Sequence, residues 1–165
     1  MDYCLETPFQ PRAPDFRRRV TENFHHQRAM ATLGMRLVTV VPGGVELRFD
    51  YRLDLTQQNG FIHAGVITTA LDSACGYAAF SLMPAEAAVL SVEFKTNLLA
   101  PAQGDYFRVF AKVIKPGRTI TFAQGEAFAL GATGGGERES SKRVATMAAT
   151  MMCLTDRPEL NTGEG

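Results

Sequence analysis

Residues 64–83 read AGVITTALDSACGYAAFSLM, and Pro84 follows. Ala, Leu, Ile and Met dominate this run, and its length exceeds that of an ordinary strand, so it reads as a helix from about 64 to 83. It is apolar nearly all round, the pattern of a helix buried by its surroundings rather than lying on a surface. Pro84 ends it, because the residue before a proline is pushed out of the helical region. Asp72 is the one charge in the run. Together with Ser73, Thr68, Thr69 and two glycines, it argues for a core helix over a membrane span.

Working outward, the flanking segments have a period of two. Met35–Val41 is apolar and β-branched, Pro42-Gly43-Gly44 is turn chemistry, and Val45–Arg52 alternates, with Val45, Leu47, Phe49 and Tyr51 on one face. Asp54–Gly60 is a polar loop. After Pro84, the segments Ala88–Leu99, Asp105–Lys115, Thr119–Leu130 and Lys142–Leu154 read as strands. Pro-Gly turns separate the first three, and Gly134-Gly135-Gly136 opens a longer flexible connection. Upstream, Asp15 is placed to cap a single N-terminal helix through Phe16, Val20, Phe24, Met30 and Leu33, which Gly34 stops. Prolines make residues 1–14 an irregular arm, and 156–165 is a polar, disordered tail. One domain over 15–155 is expected, of α+β class, with consecutive antiparallel strands wrapped around one long helix. The β-α-β alternation of a doubly wound nucleotide-binding fold is absent.

The 165 residues carry 17 basic and 17 acidic side chains. That balance gives no electrostatic case for a nucleic-acid partner. Three widely spaced cysteines, Cys4, Cys75 and Cys153, form neither a disulfide framework nor a metal-ligand pair, so no metal is expected and the cytoplasm is the expected compartment. Arg17-Arg18-Arg19 is followed by Val20-Thr21-Glu22-Asn23 and not by the apolar core of a signal peptide. No membrane partner is expected.

An ionised carboxylate in an apolar helix must be partnered, lie at an interface or shift its pKa, so Asp72 is the first candidate for chemistry. The second is the segment before the helix, Gln57-Gln58-Asn59-Gly60-Phe61-Ile62-His63-Ala64-Gly65. Its small residues allow close approach to the backbone, and the N–H groups of a first helical turn suit an anion or a developing oxyanion. Gln57 can donate to a carbonyl, and His63 can orient the loop. A carboxylate beside polarising N–H groups fits acyl transfer, with Asp72 as general base or nucleophile. However, Asp72 lies about 12 Å along the helix from Ala64 at ordinary rise, so the two meet on one carbonyl only if two chains share the site across a two-fold axis.

Gln57…His63-Ala64-Gly65…Asp72-Ser73-Ala74-Cys75-Gly76, followed by Leu90-Ser91-Val92-Glu93-Phe94-Lys95-Thr96-Asn97-Leu98-Leu99-Ala100-Pro101, resembles the hotdog-fold acyl-CoA thioesterases. Within them the likeness is to the phenylacetic-acid-degradation type, related to the 4-hydroxybenzoyl-CoA thioesterases. The resemblance implies a hotdog fold and hydrolysis of an acyl-CoA to free acid and coenzyme A. It needs no cofactor beyond the coenzyme A of the substrate, and it implies a homo-oligomer, a dimer or a tetramer of two dimers. It makes Asp72 the helix acid and Ala64 the backbone donor to the thioester carbonyl. Gly65 completes that turn, His63 organises the loop, and Gln57 lies near the carbonyl or the attacking water. Many relatives have two glycines after the histidine, and Ala64 replaces the first, which works if its φ is negative. Ser91 matches a strand serine that places water. Asn59, Gly60, Phe61 and Ser73 are expected to meet substrate, and Lys95, Arg118 and the pair Lys142-Arg143 are candidates for the phosphates of coenzyme A. Phe61, Tyr77, Phe80 and Met83 are candidates for an acyl pocket or the core.

Three other readings start from the same residues. Cys75 with His63 suggests a cysteine nucleophile, although a thiol in an apolar stretch is usually inert. A hotdog dehydratase or hydratase needs a different histidine motif, which is not evident. A non-catalytic acyl-CoA-binding or sensing module keeps the pocket without needing Asp72.

Overall fold

The computed structural model describes residues 5, 7–132 and 139–155 of the chain. Cys4, most of the first six residues of the expected arm, the Gly134–Gly136 connection and the expected tail over 156–165 lie outside the described residues. Three α-helices, α1 (Phe16–His26), α2 (Arg28–Leu33) and α3 (Ala64–Phe80), accompany six strands. The strands are β1 (Arg36–Val41), β2 (Gly44–Asp50), β3 (Ala88–Leu98), β4 (Tyr106–Lys115), β5 (Ile120–Ala132) and β6 (Glu139–Leu154). They form one antiparallel sheet in the order β1-β2-β4-β5-β6-β3. The sheet curls around α3, which is the hotdog arrangement expected from the sequence.

The wrap depends on small residues beneath the helix. Ala111, Ala123, Ala127, Ala145 and Ala149 line the concave face, all buried. At Gly125 the approach is closest, since a Cβ there would lie 2.9 Å from Leu71 Cδ2 and 3.2 Å from Cys75 Sγ. Val45, Leu47, Phe49, Phe107 and Val109 complete the core from β2 and β4, fully buried, with Phe49 and Phe107 stacked at 4.9 Å. The opposite face of β2 is less open than its alternation suggests. Glu46 is buried there because Arg108 Nε donates to it at 2.7 Å.

Two helix boundaries differ from the sequence reading. α3 ends at Phe80, three residues short of Met83. Ser81 Oγ turns back to donate to Ala78 O and accepts the Gly43 N–H, both at 2.7 Å, which ties the helix end to the β1–β2 turn. Leu82 and Met83 stay buried in the turn that follows. The single N-terminal helix is two helices, broken at Gln27 (φ −76°, ψ 93°). Val20 and Phe24 share a stripe, but Met30 is six residues on and off that stripe, so a continuous helix would turn it outward. The break redirects α2 and buries Met30 at 1% exposure. Asp15 precedes α1 but makes no side-chain cap, because its carboxylate pairs with Arg18. Gly34 ends α2 in the left-handed conformation (φ 68°).

The first helix rests against the wrapped body. Phe24 meets the Tyr77 ring edge-on at 5.6 Å, and the Arg19 guanidinium lies 4.6 Å over the Phe80 ring. Burial lowers the pKa of Arg19, and its N–H groups reach Met83 O and Ala87 O.

With Leu71 and Cys75 both fully buried, a methyl at position 125 has nowhere to go. Gly125→Ala is expected to destabilise the fold by about 1–3 kcal/mol, the usual cost of overpacking a core. Urea unfolding checks the loss, and adding Cys75→Ala should recover part of it.

Candidate active site

The loop before α3 is held by its own backbone. Thr56 and Ile62 form an isolated antiparallel bridge, and the His63 N–H donates to Leu55 O at 2.9 Å. Inside this ring the Gln57 N–H donates to Phe61 O and the Gly60 N–H to Gln57 O, a tight turn that needs Gly60 at φ 80°. The expected polar loop thus opens with a 3-10 turn, Leu53–Leu55, which buries Leu55, and closes like a hairpin. Tyr51, just past the end of β2, braces it with a hydroxyl bond to Gly60 O at 3.1 Å.

His63 is the N-cap of α3. Its Nδ1 accepts the Gly65 N–H at 2.9 Å, so the ring acts as a structural acceptor toward the helix. That bond uses the Gly65 donor. Val66 and Ile67 donate to His63 O, and no acceptor among the described residues takes the Ala64 N–H. Among the described residues only glycines have positive φ, so Ala64 sits in ordinary helical backbone and its methyl is no obstacle. One first-turn donor therefore stays free beside an apolar cleft of about 530 Å³, lined by Gln57, Phe61, Ala64, Ile67, Leu98 and Pro101. The Gln57 side-chain carbonyl is turned to the Asn59 N–H, which leaves its amide N–H₂ as the donor. Asn59 and His63 are exposed at the mouth of the loop.

Asp72 lies on the side of α3 that the sheet leaves open. Gly65, Thr68, Thr69, Asp72 and Gly76 recur at helical spacing and are not fully buried, while Ile67, Ala70, Leu71, Ala74 and Cys75 are. The half-buried carboxylate is partnered. The Ser91 hydroxyl, from β3, donates to Asp72 Oδ1 at 2.6 Å. A separate pocket of about 130 Å³ opens at Asp72, bounded by Asn23, Gln27, Ser73, Tyr77, Val89 and Ser91. Ser73 is buried and its hydroxyl reaches Gln27 Oε1 at 3.4 Å.

The two pockets share no lining residue. Within one chain, Gln57, Phe61 and Ala64 form one group and Asp72, Ser73 and Ser91 another.

The candidate phosphate contacts do not converge either. Lys95 is paired to the exposed Ala148, on the opposite face of the sheet from Ser91, which is paired to the buried Met151. Arg118 is exposed in the turn where Ile120 pairs with Met152, whereas the cleft is near the Leu98–Ala145 pair. Seven residues of β6 separate those levels, or ~23 Å at the usual strand rise. Arg143 is paired with Glu126, and Lys142 is exposed.

Of the candidates for an acyl pocket, Phe61 lines the cleft, Tyr77 faces the Asp72 pocket, and Phe80 and Met83 belong to the core. Cys75 is fully buried, and desolvation with the nearby Asp72 charge raises its thiol pKa far above the ordinary range, which removes the cysteine-nucleophile reading. Asn23 and Gln27 were not legible as site residues. The packing of α1 on Tyr77 brings Asn23, within the helix, and Gln27, at its end, beside Asp72, and no local pattern announces that contact. Among the described residues no cluster of His, Cys, Asp and Glu could hold a metal, and no helix is long and apolar enough to cross a membrane.

Comparison with known proteins gives this geometry a setting. The sequence pattern of the thioesterase superfamily matches residues 59–134, a stretch that holds Ala64, Asp72 and Ser91 but not Asn23, Gln27 or Gln57. A crystal structure of a thioesterase family protein from Silicibacter pomeroyi is 51% identical, covers 85% of this chain and 98% of its own, and superposes with a TM-score of 0.80. The E. coli PaaI protein, from the phenylacetic acid degradation operon, shares the fold at 15% identity, with 85% and 94% coverage and a TM-score of 0.71. A Saccharolobus solfataricus protein provisionally named an esterase is 28% identical over 53% of this chain, and the match spans 62% of that relative's length.

Replacing the cap separates its structural work from proton transfer. His63→Ala should cost about 0.5–1 kcal/mol of stability by thermal unfolding, because the Gly65 N–H loses its acceptor. His63→Asn, a good cap, should restore most of it and leave the pH dependence of any hydrolysis unchanged.

Proposed function

We infer, since the chain belongs to the thioesterase superfamily, that it hydrolyses acyl-CoA thioesters at a site built from two copies of itself. The observation that carries this reading is the Asp72–Ser91 pair standing on the uncovered side of α3, in a pocket separate from the free Ala64 N–H. A thioester carbonyl must meet both a donor and a base, and one chain holds them apart. A two-fold axis would set Asp72 of one copy against the Gln57–Ala64 loop of the other.

The unpaired edge of the sheet supports that assembly. β3 is paired only with β6, and its other side is open among the described residues. Phe94 and Leu98 point to the concave face yet are 43% and 58% exposed. An exposed apolar edge strand invites pairing with another chain, and a second copy covers both the edge and these side chains.

In this reading the carbonyl oxygen accepts the Ala64 N–H, with the Gln57 amide beside it. Ser91 holds Oδ1 of the carboxylate, so Oδ2 takes the proton of a water that attacks the carbonyl carbon. Negative charge develops on the oxygen facing Ala64, where one well-placed donor contributes about 3 kcal/mol to the transition state. The C–S bond then breaks, the thiolate of coenzyme A takes up a proton, and the acid is released. Direct attack by Oδ2, giving a mixed anhydride that water then opens, is the competing chemistry. Single-turnover hydrolysis in isotopically labelled water separates the two, since only direct attack leaves label in the Asp72 carboxylate.

Asp72→Asn should lower kcat for acyl-CoA hydrolysis by about 10²–10⁴ while circular dichroism and oligomeric mass stay unchanged. Undiminished turnover in that variant would sink the mechanism. Mixing inactive Asp72→Ala and Gln57→Ala chains under subunit exchange should restore about a quarter of wild-type sites, since half the dimers are mixed and each mixed dimer regains one intact site. No recovery would place the whole site in one chain.

A further inference from the structure

The pocket beside Asp72 carries more polar groups than hydrolysis requires. A carbonyl carbon close enough to the carboxylate to be attacked can place its acyl substituent in the space adjoining Asp72, with the apolar cleft beside Ala64 left for the thiol half of the substrate. On the Asp72 chain that space is the 130 Å³ pocket. Its size is close to that of a cavity that holds one benzene ring, so it takes a short acyl group and not a long chain. One wall is apolar, formed by Val89 and the Tyr77 ring. The other is polar and comes from the first helix and its end.

The hydrogen bonds there define what that wall offers. The Tyr77 hydroxyl, with one proton to give, lies 3.2 Å from Asn23 Oδ1 and 3.4 Å from Gln27 Oε1; given to the nearer Asn23, it leaves Gln27 Oε1 to the Ser73 hydroxyl at 3.4 Å. Both carboxamide oxygens are therefore engaged as acceptors. The N–H₂ groups of Asn23 and Gln27 have no acceptor among the described residues. A carboxamide nitrogen offers two donors and no acceptor, so the open polarity of the wall is donor-rich. The Asp72 charge a few atoms away disfavours a second carboxylate.

We propose that Asn23 and Gln27 select the substrate, and that the acyl group is short and carries a neutral oxygen acceptor, a hydroxyl or carbonyl, which takes their N–H₂ hydrogens. This rests on the reading of Asp72 as the hydrolytic carboxylate. Asn23 is half-buried and Gln27 exposed, so a plain alkyl group on this wall would strip water from the Asn23 amide and from part of the Gln27 amide, and return nothing. A site that hydrogen-bonds a substrate hydroxyl discriminates against the analogue lacking it far more sharply than an apolar pocket discriminates by a methylene.

The test measures kcat/KM by thiol release for butanoyl-CoA, 3-hydroxybutanoyl-CoA, succinyl-CoA and dodecanoyl-CoA. Wild-type protein should favour the hydroxylated substrate over its plain partner by about tenfold or more, and Asn23→Ala or Gln27→Ala should bring the ratio to within about threefold. Tyr77→Phe keeps the buried ring and removes the hydroxyl that orients the Asn23 amide. It should lower the same ratio, which covers the case in which a helix variant fails to fold. Equal rates for the matched pair in wild type, a preference that survives all three variants, or a preference for succinyl-CoA or dodecanoyl-CoA would overturn the proposal. Failure of the underlying reading looks different: no substrate is turned over, or Asp72→Asn turns over all of them as wild type does, and the proposal then falls with it.

Discussion

Everything in this structure follows from how closely the sheet approaches α3. The helix is apolar on nearly every side, so it is stable only if something encloses it. A sheet of ordinary Val and Ile residues could not curl that near. Gly125 and the alanines of β4, β5 and β6 lower the concave surface until Leu71 and Cys75 reach the backbone. The enclosure is nevertheless incomplete. The sheet covers most of the helix circumference through β2 to β6 and leaves one stripe, from Gly65 to Gly76, on which Asp72 is the only charge. A carboxylate on any of the covered stripes would have lost its hydration with no partner. On this one it keeps part of its hydration and gains the Ser91 hydroxyl from the neighbouring edge strand.

The division of the site into two pockets has the same origin. The N-terminus and the acid of the helix are about two turns apart, and the sheet holds both at fixed levels. The loop contributes a donor only because His63 uses one first-turn N–H and leaves another. Cap and donor are thus two outcomes of one arrangement, in which the histidine decides which N–H is left for a ligand.

Much of this was legible in the residues, and for physical reasons. The composition change at Ala64 and the return to period two after Pro84 reflect which surfaces are buried, so they carried the fold class and the order of elements along the chain, but not the placing of β3 at the sheet edge beside β6. The lone Asp72 and the small-residue loop from Gln57 to Gly65 stood out because buried charge and unpaired backbone are costly enough to need a cause. The helix ends were less visible. Ser81 stops α3 by reaching the β1–β2 turn, which is distant in the chain, and Gln27 breaks the N-terminal helix because Met30 must turn inward. Both are tertiary demands that override local propensity. Asn23 and Gln27 were missed for that reason, since nothing in a surface asparagine or glutamine announces a neighbour some fifty residues on. The half-open polarity of β2 was misread in a smaller way: Glu46 alternates as a surface residue but is shielded by Arg108.

The first helix packs on the wrapped body through Val20 and Phe24, which it gives to the core, and through Arg19 over the Phe80 ring, and the break at Gln27 ends it there. It contributes no strand to the sheet and no residue to the Gln57–Ala64 loop. Its outward residues, Asn23 and Gln27 among them, are therefore open to change as long as Val20 and Phe24 keep their places in the core. Changes confined to the outward residues of 16–27 can rebuild the wall of the Asp72 pocket while α3, the sheet and the Asp72–Ser91 pair stay as they are. A lineage carrying this fold can change what it accepts without re-evolving how it reacts, and a designer can do the same by resurfacing a single short helix.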